Sequence, residues 1–259
     1  MKRENITVLK YSDLVEKLKE IKSKGYVKTH RAGNTGIGKT LEDLLGIEEN
    51  NIPGPDAEMI ELKSARKNTK TLLTLFTKSP MPSRANFFLL QRFGYPSRRG
   101  NNRKELHTMV NALSYNTLKG KETFKIQVKE DRIEIISKSL GKSGLSYFVE
   151  TKKIPGIEIL GYWDKETLKH CFERKLPRLM YVKADFRGSG DTEEFLFNEA
   201  WLLSGFDFEN FIRLIKDGDI VIDIRIGQYP DGRPHDHGTG FRVSPDKLDM
   251  CFTHREKII

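Results

Sequence analysis

The segment "DIVIDIRIG", residues 219–227, constrains the fold more than any other stretch. Ile220, Ile222, Ile224 and Ile226 alternate with Val221, Asp223, Arg225 and Gly227. In an extended chain successive side chains point to opposite faces, so the four isoleucines make one continuous apolar surface. Wound as a helix, the same residues would be split between two sides. β-Branched residues also favour the pleated conformation. The chain must therefore contain a sheet that buries one face. The other face carries an acid and an arginine, about 7 Å apart by strand rise.

Elsewhere helical and extended patterns are mixed. "SDLVEKLKEIKSKG" reads as a helix with Leu14, Leu18 and Ile21 on one face, Gly25 as its stop and Asp13–Glu16 as a capping box. A second helix is expected to open at Thr40 in "TLEDLLGI". "DKETLKHCFERKL" and "DFENFIRLIKDG" supply two more. "EMIELKS", "LLTLFTKS", "RLMYVKADF" and the hairpin "TFKIQVKEDRIEIISK" read as strands, while residues 80–104 look like long loops around "ANFFLLQRFG". The class implied is α/β with a mixed sheet. No repeat and no clean linker is found, so any lobes are interleaved.

Lysine and arginine total 45 against 36 acidic residues, a formal charge of +9. That excess favours an anionic partner, with nucleic acid first. The basic residues cluster in "KSARKNTK" and "YPSRRGNNRK". No apolar run is long enough to span a membrane, no secretory signal opens the chain, and Cys171 and Cys251 make no disulfide framework. A cytoplasmic protein is the expectation.

Two motifs compete for the chemistry. "GNTGIGKT", residues 33–40, fits the phosphate-loop pattern with Gly33, Gly38, Lys39 and Thr40. A phosphate loop leaves a buried parallel strand, yet the preceding "GYVKTHRA" is basic and polar. Thr40 is better placed as a helix N-cap with Asp43 three residues on. The second motif is "PGPDAEMIELKS": Pro55-Asp56, a short gap, then Glu61-Leu62-Lys63. On a strand Glu61 and Lys63 share a face while Ile60 and Leu62 enter a core. Asp56 and Glu61 offer the hard oxygens that Mg2+ takes, and Lys63 can orient a water and steady a phosphate. An exposed Glu-x-Lys pair is equally compatible with a solvated strand face. Glu42, just upstream, is a further acidic group for the site.

On the exposed side of "DIVIDIRIG", Asp223 can accept from cytosine N4 and Arg225 can pair with guanine O6 and N7. A surface ion pair is the plain alternative. His235, Asp236 and His237 in "HDHG" suit a DNA-contacting loop or a local turn better than zinc, for which further ligands at suitable spacing are lacking. Arg242 in "GFRVS" would emerge near Arg225.

Taken together, "HRAGNTGIGKTLEDLLGIEENN", "PDAEMIELKS", "LLTLFTKSP" and "GDIVIDIRIGQYPDGRPHDHGTGFRV" resemble the MvaI/BcnI family of type II restriction endonucleases, nearest the MvaI-like members. The resemblance implies a PD-(D/E)xK catalytic lobe, related to the mismatch-repair nickase MutH, with an interleaved DNA-recognition lobe. The catalytic lobe would include about 1–110 and the recognition lobe about 215–259, with the middle shared. It implies a Mg2+-dependent monomer that cuts double-stranded DNA at a CC-N-GG-like site by sequential nicking, with a methyltransferase as genetic partner. The implied catalytic set is Glu42, Asp56, Glu61 and Lys63, with Asp56 and Glu61 on the metal. The implied DNA contacts are Lys39, Asp223, Arg225, His235, Asp236, His237 and Arg242. "GNTGIGKT" becomes a DNA-backbone feature at the entry to the Glu42 helix. The arginine-rich loop from Arg84 to Lys104 departs from the family. A mismatch-repair nickase and a non-catalytic DNA-binding module are the rival readings.

Overall fold

A computed structural model describes residues 9–47, 59–98, 100, 103–138 and 157–259. The chain divides into two compact units, Met1–Thr71 with Glu173–Asp207 and Leu248–Ile259, and Leu72–Phe172 with Phe208–Lys247. The division differs in detail from the sequence expectation. The N-terminal stretch leaves the first unit after Thr71, and the last twelve residues return to it rather than staying with residues 215–247.

The first unit is built on a sheet in the order Val27–Lys28, Glu194–Ser204, Arg178–Arg187, Glu61–Arg66, with His254–Lys257 also pairing Glu194–Ser204. The Glu61 strand runs parallel to the Arg178 strand, and the other pairings are antiparallel. Alternation gives this sheet two unlike faces. Leu62, Met180, Val182, Phe195 and Phe197 join Leu14, Leu18, Ile21, Ile37, Leu41 and Leu45 from the helices Tyr11–Ser23 and Gly36–Leu45 in one core.

Two helix starts differ from expectation. The first helix begins at Tyr11 with Lys10, which has no side-chain acceptor, as its cap residue, so Asp13 lies inside the first turn rather than capping it. The second begins at Gly36, so Thr40 lies inside it rather than capping it. The Thr40 hydroxyl donates to the Gly36 carbonyl at 2.8 Å and accepts from the His30 amide at 2.9 Å. A buried hydroxyl that satisfies both roles is stable at mid-helix. Gly46 ends the helix in the left-handed conformation.

In the second unit Ile220–Gln228 lies at the centre of an antiparallel sheet. The order is Leu73–Thr77, Gly240–Val243, Ile220–Gln228, Lys104–Val110, Tyr95–Pro96, with Pro234–Asp236 pairing the central strand. All four isoleucines are fully buried. The helix Phe208–Lys216 packs its Phe211 ring 5.6 Å from Phe241 and 5.2 Å from Phe172, and Trp163 stands 5.5 Å from Phe241. Phe124–Val128, Arg132–Lys138 and Ile157–Asp164 form a separate three-stranded sheet. Between the expected loops, "ANFFLLQRFG" contributes the helix Ala85–Phe93.

Candidate functional site

The strand Glu61–Arg66 sits at the edge of its sheet. Ile60 and Leu62 are buried in the core, so Glu61 and Lys63 share the opposite face. Glu61 is only 4% exposed. Its Oε1 accepts from Lys63 Nζ at 2.6 Å, and its Oε2 accepts from Lys175 Nζ at 3.0 Å. A buried carboxylate needs such partners, since desolvating an unpaired charge costs several kcal/mol. Two ammonium groups on one carboxylate leave a local excess of positive charge, which suits a phosphate.

Lys175 was not singled out from the sequence. It lies 114 residues from Glu61 and reads as an ordinary basic residue in the last turn of the helix Lys165–Lys175. The one available signal is positional. That helix leads within three residues into Arg178–Arg187, the strand that pairs with Glu61–Arg66.

Glu61 supplies hard carboxylate oxygens, the donor type a divalent cation takes, but both of them accept from lysines here. Among the described residues no group of three or more His, Cys, Asp or Glu is arranged to hold a metal. Asp56, the other expected ligand, lies outside the described residues. Glu42 is half-buried on the helix Gly36–Leu45. It is four residues past Gly38, hence on the same stripe, and a Cβ at Gly38 would lie 3.8 Å from Ser64 Oγ of the Glu61–Arg66 strand.

Packing accounts for "GNTGIGKT". Gly33 has φ +87, a conformation that side chains disfavour. A Cβ on Gly36 would stand 2.1 Å from the Arg31 carbonyl oxygen. Arg66 donates to the Gly33 carbonyl at 3.2 Å and makes two 2.6 Å bonds to the buried Glu193 carboxylate, tying the turn to the Glu61–Arg66 strand. Lys39 pairs with Asp43 at 2.8 Å, and His30 with the same carboxylate at 2.9 Å. Hydrogen bonds from Lys39 and then His30 hold Asp43 below the usual carboxylate range. The strand preceding the turn is Val27–Lys28, two residues at the sheet edge, whereas a phosphate loop follows a central one.

Beyond Lys63 the polar sheet face continues through Tyr181, Lys183 and Glu199. Burial, with Glu199 nearby, pushes the Tyr181 phenol up to about 12. Burial would raise Glu199, but its bonds to Trp201 and Lys183 outweigh that and leave it lowered.

The second unit brings most of the other expected residues onto one sheet face. Asp223 is 7% exposed, and Arg242 Nε stands 3.0 Å from its Oδ2. Burial lowers the Arg242 pKa, opposed by Asp223 and reinforced by the nearby Arg225 cation. Asp223 is therefore ion-paired with Arg242, and the Arg225 cation lies close enough to act on that guanidinium. His237 donates its amide to the Arg225 carbonyl at 3.0 Å, and its ring covers Gly227, where a Cβ would be 2.9 Å from Nε2. His235 stacks on Tyr229 at 4.4 Å and meets the tilted His237 ring at 4.3 Å. Asp236 is engaged internally. One oxygen takes the Ser79 hydroxyl and Asn86 Nδ2, the latter at 2.6 Å, and the other takes the Gly238 amide at 2.8 Å. Those bonds brace the turn that presents the two histidines.

The sequence model of the MvaI/BcnI restriction endonuclease family matches residues 15–252. No curated protein sequence matches the chain. Among solved structures, the restriction endonuclease MvaI–cognate DNA substrate complex is similar over 95% of this chain and 97% of that one, with 31% identity and a TM-score of 0.80. MvaI in the absence of DNA is similar over the full length of both chains, with 30% identity and a TM-score of 0.54.

Proposed function

The chain belongs to the MvaI/BcnI restriction endonuclease family and is a site-specific DNA nuclease, and from that premise we propose that it is a Mg2+-dependent monomer cutting double-stranded DNA at a CC-N-GG-like site, one strand after the other. The observation that carries the reading is the Glu61 carboxylate with Lys63 and Lys175 on its two oxygens. Asp56 and Glu61 would hold the divalent ion, which when bound supplies charge stabilisation at the reacting phosphate. Lys63 holds a water in line with the phosphorus and donates to a non-bridging phosphate oxygen as negative charge builds there. The water oxygen forms the new bond to phosphorus and loses its proton to solvent. The bond to the 3′ oxygen breaks and that oxygen takes up a proton from solvent, leaving a 5′-phosphate and a 3′-hydroxyl. Lys175 acts through Glu61, fixing the rotation of that carboxylate.

Asp223 and Arg225 read the edges of C and G in the major groove, with Arg242, His235 and His237 alongside. Lys39, on the helix that carries Glu42, faces the DNA backbone. Asp236 acts as the brace of the reading turn. No described helix is long and apolar enough to cross a membrane. A cytoplasmic setting and a companion methyltransferase complete the proposal.

The test is cleavage of unmethylated plasmid and phage DNA with and without Mg2+, with the fragment ends sequenced. Discrete Mg2+-dependent ends sharing a CC-N-GG-like sequence are expected, and Asp56→Ala should abolish them while leaving DNA binding intact. Full activity in that variant overturns the metal assignment. Cutting of one strand only would mark a nickase.

A further inference from the structure

The strand Lys104–Val110 pairs directly with the reading strand, and its alternate side chains Met109 and His107 share the reading face. Met109 is opposite Asp223, and His107 is opposite Arg225. Leu106 and Val110, opposite Ile226 and Ile222, are buried with the isoleucines. On the other side of Asp223 stands Gly240, which presents no side chain. Met109 is therefore the apolar side chain next to Asp223 in its cross-strand row, and it is 55% exposed. Single exposed hydrophobic residues are common on proteins, so the exposure alone means little. The position is what matters. Directly opposed residues hold their Cβ atoms about 4.5–5.5 Å apart, so Met109 and Asp223 meet the same or adjoining base edges.

We propose that Met109 reads the C5 edge of the cytosine whose exocyclic amine is accepted by Asp223, making a 5-methyl group at that cytosine a favourable contact. The inference rests on the DNA-reading role given above to the Asp223–Arg225 face. On a cytosine the N4 amine and C5 are neighbours along the major-groove edge. A thymine methyl is read there by apolar contact, and a C5 methyl offers the same surface. Methionine suits the task because its unbranched, polarisable side chain repacks around an added methyl instead of clashing with it. Burying one methyl is worth about fourfold in affinity.

The experiment is equilibrium binding of the full-length protein, without divalent metal, to short duplexes carrying the CC-N-GG site. Cytosine is replaced by 5-methylcytosine at one position at a time. Wild type should bind one of the methylated duplexes about fourfold more tightly than the unmethylated one. Met109→Ala should bring that ratio to about one, and Met109→Leu should keep most of it. A wild-type enzyme that rejects 5-methylcytosine at every position, or a ratio unchanged in Met109→Ala, overturns the inference. Asp223→Asn separates the two levels. If it keeps the wild-type preference for the site over random DNA, the reading face itself is misassigned. If it loses that preference while Met109→Ala keeps the methyl ratio, Met109 alone is misassigned.

Discussion

Two glycines two residues apart in "GNTGIGKT" should respond oppositely to alanine. A Cβ on Gly36 would lie 2.1 Å from the Arg31 carbonyl oxygen and 2.8 Å from Thr29 Oγ1. Both groups belong to a turn held by the Thr29 hydroxyl bond to that same carbonyl, 2.7 Å long. Backbone, not a flexible side-chain tip, has to move. Overpacking costs about 1–3 kcal/mol, and Gly36→Ala belongs at about 3. A Cβ on Gly38 meets only Ser64 Oγ at 3.8 Å, an ordinary contact. Gly38→Ala should gain about 0.5–1 kcal/mol, because glycine loses more backbone freedom in a helix. In a protein of this size Gly36→Ala should then lower Tm by about 6–12 °C, and Gly38→Ala should raise it slightly. Thermal and urea unfolding of the two variants decide the matter. Wild-type stability in Gly36→Ala, or a loss above about 1 kcal/mol in Gly38→Ala, refutes the packing account of the motif. Stabilisation of the wild type by ATP or GTP would refute it as well.

Lys175→Met should slow single-turnover cleavage by about 10- to 100-fold, as when support for a metal-binding carboxylate is removed, with partial recovery in Lys175→Arg and little change in metal-free DNA affinity. Gly227→Ala should push the His237 ring off the Ile220–Gln228 strand; a competition assay should show the preference for the site over random DNA falling about fivefold, with Tm nearly unchanged, since the clash is with a side-chain tip. Tyr181 titrates near 10 unfolded and about 12 folded, so its protonated form is favoured by folding. That contribution is complete below pH 10 and is lost as pH rises towards 12, a total of about 2–3 kcal/mol. Tyr181→Phe should flatten this part of the alkaline stability curve, measured as urea midpoint against pH.

What could be read from the sequence was local. Glu61 and Lys63, or Asp223 and Arg225, are two residues apart on a strand, and the two-residue period of the pleat places each pair on one face whatever the rest of the chain does. Four alternating isoleucines likewise determine their own burial. The order of the blocks from His30 to Val243 carried the family. The tertiary structure decided what depends on register and on which helix ends where. Lys175 reaches Glu61 because its helix feeds the neighbouring parallel strand. Thr40 lies inside a helix because Gly36 lets the chain pass close to Arg31. Asp236 is occupied by Ser79, Asn86 and Gly238, and Met109 stands opposite Asp223. These partners are distant in the chain, and strand register selects them. A shift of one residue would turn every such side chain to the other face, so no local pattern could have named them.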